Sequence, residues 1–78
     1  MKQLNCPVPV LAVFEQGKVR PLAFKYQGRR WSVTQVIRDW QQFALLEEKI
    51  HTFVVETETR LAQLSYYPQT GRWHLDKL

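Results

Sequence analysis

Apolar and polar positions alternate along most of this chain. Over residues 20–26, Leu22, Phe24 and Tyr26 share one side and Ala23 and Lys25 the other, the period-two pattern of a strand with one buried face. Pro7-Val8-Pro9-Val10 favours extended backbone and withholds two amide donors, so a first strand is predicted over 10–15 and residues 1–7 are expected to be a flexible N-terminal segment. Gln16-Gly17-Lys18 and Gln27-Gly28-Arg29 read as tight connections, the second leading into Trp31 and Val33. The first half is thus a three-stranded meander.

The period then changes. Val33, Val36, Ile37, Trp40, Phe43 and Ala44 follow i, i+3, i+4, i+7 spacing, and Ser32 or Thr34 can cap the start. A helix is predicted over 34–42, with Gln35, Arg38, Asp39, Gln41 and Gln42 on its exposed face, and residues 44–48 read as irregular. β-Branched and aromatic residues mark a strand over 49–57, Glu58-Thr59 a turn, and 60–67 a strand with Ala62, Leu64 and Tyr66 on one face. Pro68-Gln69-Thr70-Gly71 then reverses the chain into a last strand over 72–76. The expected fold is α+β and mainly antiparallel β: two three-stranded meanders, in a sheet or small open barrel, with one short helix between them. At 78 residues the chain is a single small domain spanning 1–78.

Charge adds a candidate surface. Between Gln16 and Arg38 lie Lys18, Arg20, Lys25, Arg29, Arg30 and Arg38 with no acidic residue, whereas Asp39, Glu47, Glu48, Glu56 and Glu58 follow against Lys49. With a net charge of +4, a positive face for nucleic acid is one reading, and charges placed wherever strands meet water is the other. A lone Cys6 permits no internal disulfide and points to a reducing, cytoplasmic setting. No apolar run approaches the roughly 18 residues that span a bilayer, and no cofactor or metal site is expected.

Catalytic chemistry is not expected. Ser32 and Ser65 sit within strand patterns, His51 and His74 read as surface histidines, and Glu56 with Glu58 reads as a solvated edge or a partner for Arg60. Trp31, Trp40 and Trp73 read as core, since a small domain needs their volume inside, and Tyr67 as the aromatic most exposed.

Gly28-Arg29-Arg30-Trp31-Ser32-Val33, then Trp40, then Phe53-Val54-Val55, closing on Thr70-Gly71-Arg72-Trp73-His74-Leu75, resembles a family of short uncharacterised bacterial domains of unknown function. The likeness covers about residues 8–75; members carry G-R-x-W/Y-x-V and T-G-x-W-x-L motifs, and some are associated with Y-family error-prone DNA polymerase modules. Pro68 departs from the pattern where many members place Asp. The resemblance implies a DNA-repair or polymerase neighbourhood and carries no catalytic residue.

Two function classes follow. One is a non-catalytic interaction or accessory module, docking a protein such as a polymerase subunit, or a copy of itself, through an edge strand over 10–15 or the helix face. The other is weak, non-sequence-specific binding of single-stranded nucleic acid by Lys18, Arg20, Lys25, Arg29, Arg30 and Arg72, with Tyr67 for stacking.

Overall fold

Two turns set the first half of the fold. Gln16 and Gly17 have φ of 51° and 76°, and Gln27 and Gly28 of 54° and 71°, the left-handed pair of a two-residue turn whose twist matches that of antiparallel strands. They join β2 (Val10–Glu15), β3 (Lys18–Tyr26) and β4 (Arg29–Phe43). After these come β5 (Lys49–Thr57), β6 (Leu61–Tyr67) and β7 (Arg72–Lys77), and before them β1 (Gln3–Pro7). The computed structural model describes residues 1–43 and 48–78. All strands belong to one antiparallel sheet in the order β1-β7-β6-β5-β4-β3-β2, curled into a half-barrel.

The architecture is therefore all-β, which corrects the expected α+β fold with two separate meanders. Residues 34–42, expected to be helical, are the middle of β4, a strand of 15 residues paired to β3 at its start and to β5 from Val33 onward. The apparent helical spacing has a definite origin. Register shifts between Val33 and Gln35 and between Val36 and Arg38 each add one residue to β4, so the inward positions Val33, Val36 and Asp39 stand three apart and imitate a helix. The irregular stretch expected over 44–48 lies, but for Glu48, outside the described residues. The flexible lead-in expected over residues 1–7 contains β1, which pairs with β7.

The concave side carries the core: Val8, Phe24, Phe53, Val55, Ala62, Leu64, Trp73, Leu75 and Leu78, with Tyr26, Trp31, Val33 and Val36 packed against it. Trp73 is buried as expected and meets Phe53 and Tyr66 at ring separations of 5.7 and 4.7 Å. Trp31 is only half-buried, stacked on Phe24. Trp40, expected in the core, lies opposite Thr52 on the convex side with the Arg38 guanidinium over its ring, because the bulges turn it outward.

The two ends of the strand order meet. Only Val8 and Pro9 separate β1 on one edge from β2 on the other. Val8 donates its N–H to the carbonyl of Trp73, and Pro9 accepts one from Lys25, so these two residues bridge β7 and β3. The sheet closes here and opens above.

Candidate interaction site

The opening is a cleft of about 730 Å³ between β2 and the β6–β7 hairpin, lined by Val10, Ala12 and Phe14 on one side and Tyr66, Arg72 and Trp73 on the other. β2 is hydrogen-bonded to β3 alone, so its second edge faces this cleft with its backbone groups unmatched by any described strand. Natural edges are guarded by Lys, Pro, bulges or cover. β1, at the other end of the sheet, has such guards: a register break between Gln3 and Cys6, Asn5 at φ 51°, and Pro7. Along β2 the only charge is Glu15, at the end, and no proline interrupts the strand; the register shift in its ladder, between Leu11 and Ala12, puts the extra residue on β3 and not on β2. Leu11 and Phe14 there are 55% and 61% exposed. Phe14 reaches across the cleft to Tyr66, edge to face at 5.7 Å, where β2 and β6 have no backbone pairing. β2 is a strand edge with apolar side chains left open to a partner.

The basic residues singled out by the sequence fall into two groups. Lys18 starts β3 and Lys25 lies near its end, roughly 20 Å away at ~3.3 Å per residue. Lys18 and Arg20 belong to the end of the sheet that holds the β2–β3 and β6–β7 turns, together with Arg72 and Tyr67, which pair with each other. Lys25, Arg29 and Arg30 surround the β3–β4 turn at the opposite end. Arg29 lies 4.3 Å from the Trp31 ring centroid, a cation–π contact. Tyr67 is half-buried beside the His74 ring at 4.9 Å; burial first, then the charges of Asp76 and Glu48, raise its phenol above its ordinary pKa.

One pairing was not legible in the sequence. His51 Nε2 and Asp39 Oδ2 are 2.6 Å apart on the concave side, and the His51 ring stacks on Phe53 at 4.1 Å. His51 is thus an oriented, largely shielded residue with 13% of its side chain exposed, which corrects its reading as a plain surface histidine. The helix expectation placed Asp39 on an exposed face; the strand register sets it opposite Phe53 and sets Gln41 opposite His51. Density of β-branched residues at Val33, Thr34, Val36 and Ile37 was the signal available for a strand.

A histidine oriented by a carboxylate is half of a hydrolytic triad. The clefts it borders, of about 600 and 280 Å³, are lined by Arg20, Gln41, Lys18, Lys49 and Tyr66 among others, and by no Ser, Thr or Cys. On the convex side Ser65 donates directly to the Asp76 carboxylate and shares a 3.2 Å contact with Thr52, while His74 lies across from Ser65. There the carboxylate holds the hydroxyl itself, with no imidazole between, which is a buried structural chain rather than an activated nucleophile. Among the described residues no three His, Cys, Asp or Glu side chains cluster to hold a metal ion, and no helix is long and apolar enough to cross a membrane.

In comparisons with protein-family models, with curated proteins and with solved structures, nothing matches this chain.

Proposed function

We propose that this protein is a non-catalytic interaction module that takes an extended segment of a partner protein onto β2. The observation that carries this reading is the open edge of β2, which holds no Lys or Pro, with Leu11 and Phe14 exposed beside a cleft of ligand-sized volume. Strand addition fits such an edge: main-chain hydrogen bonds supply affinity, and alternate side chains enter the flanking pockets. The division of the basic residues between two ends of the sheet supports this reading over a continuous track for single-stranded nucleic acid. A partner in a DNA-repair or polymerase assembly agrees with the family resemblance, and a reducing, cytoplasmic setting suits the free thiol of Cys6.

A photo-crosslinking side chain placed at Leu11 in cells of the source organism tests the reading. A discrete crosslinked protein, absent when the same group is placed at exposed Glu58 in the β5–β6 turn, is the expected result. Equal labelling from both positions would end the proposal.

A further inference from the structure

The convex side of the same edge holds an unsolved electrostatic problem. Lys25 and Arg30 are directly opposite each other in the β3–β4 ladder. Like charges in that position repel and destabilise a sheet. Among the described residues the one ion pair is that of His51 with Asp39, so no carboxylate lies within ion-pair distance of either cation. Both border a groove of about 390 Å³ whose other lining residues are Pro9, Val10, Leu11, Ala23 and Phe24. Leu11 is a β2 residue paired with Ala23, two positions from Lys25 on the same face. An apolar floor therefore runs from the open edge to two uncompensated cations.

The charge along β2 is also polar in direction. Its N-terminal end lies beside Lys25 and Arg30, while its C-terminal end carries Glu15, paired with Lys18. Every pairing in this sheet is antiparallel, the geometry that is also slightly the more stable per residue. A segment running antiparallel to β2 brings its C-terminal end to the cations.

We infer that the segment docked on β2 is acidic: an extended peptide antiparallel to β2, apolar where it covers Val10, Leu11 and Ala12, with carboxylates at its C-terminal end held by Lys25 and Arg30. This rests on the β2 docking reading and adds the chemistry of the occupant. The carboxylates come from Asp or Glu side chains or from a free chain end. An apolar floor whose one aromatic ring, Phe24, is buried favours an apolar-acidic peptide over stacked nucleotides.

A displayed library of short peptides, selected on the full chain, tests this, with oligothymidylate titrated in parallel. Selected peptides are expected to carry Asp, Glu or a free carboxylate toward the C-terminus and to protect β2 amides from hydrogen exchange. Re-synthesis with an amidated end tells side-chain from terminal carboxylates. The double variant Lys25→Gln/Arg30→Gln should bind the acidic peptide about tenfold more weakly, with a flatter salt dependence, and bind its Asn-substituted analogue unchanged. Its unfolding midpoint should not fall, because the substitution removes a repulsion. Selected peptides with no acidic preference, or unchanged affinity in the double variant, would overturn the inference and leave β2 docking intact. No peptide protecting β2 would overturn both. Salt-dependent oligothymidylate binding lost in the double variant, without peptide binding, would transfer these cations to a nucleic-acid role.

Discussion

Single side chains here take their roles from which face of the curled sheet they occupy. Trp73 and Leu75 alternate cleanly ahead of the register shift near the end of β7, and both are buried, so their role was legible in the sequence. Trp40 and His51 were not, because each depends on how β4 is registered against β5. Trp73 touches Phe53 and Tyr66, and Trp73→Ala should cost about 3–5 kcal/mol in urea unfolding. A variant that keeps nearly the parental midpoint would show that the ring is dispensable. Tyr67 gives a pH signature. Its phenol has a raised pKa in the folded state, so above pH ~10 the unfolded chain loses this proton first and the folded state is the less stable for it. Stability should therefore fall as pH climbs through the ordinary tyrosine range, and Tyr67→Phe should flatten that fall. Identical alkaline denaturation curves for parent and variant would refute the linkage.

At the scale of elements, turns and strands with at most one extra residue were readable, and β4, with two extra residues close together, was not. β2 and β5 span the residues that the extended Pro-Val-Pro-Val lead-in and the β-branched content indicate, and neither strand carries an extra residue in its ladders. β4 does not keep period two. Two extra residues convert period two into steps of three, and local pattern alone cannot tell that from a helix. The docking edge is likewise only half legible: the strand over 10–15 was visible, but its open side follows from the place of β2 at the end of the sheet order. Turn chemistry offers a direct test. Gln16 and Gln27 hold left-handed φ where Asn is better tolerated, so Gln16→Asn or Gln27→Asn should raise stability by up to about 1 kcal/mol. Gly28→Ala should lower it by about 1 kcal/mol through conformation alone, as an added Cβ meets nothing within 4 Å. A neutral outcome for both kinds of change would mean that these turns relax to another type.

For the whole molecule, closure depends on a strand that composition and proline content did not reveal. β1 covers the edge of β7, and Leu4 and Cys6 pack against the core from it. Lys2 and Leu78 exchange both backbone hydrogen bonds, with N–H to carbonyl distances of 2.8 and 2.9 Å. Through Val8 and Pro9 this strand also fixes where β2 leaves the barrel and so how wide the docking cleft stands. Deleting residues 1–7 removes two partly buried side chains worth about 1–3 kcal/mol each and bares a second strand edge. That loss is comparable with the whole net stability of a small domain, roughly 5 kcal/mol at the low end. The shortened chain should lose cooperative unfolding and associate through β7, which urea denaturation and light scattering would detect. A monomer with an unchanged midpoint would show instead that β2 to β7 close without β1, and that the cleft is shaped by Phe14 and Tyr66 rather than by the bridge at Val8 and Pro9.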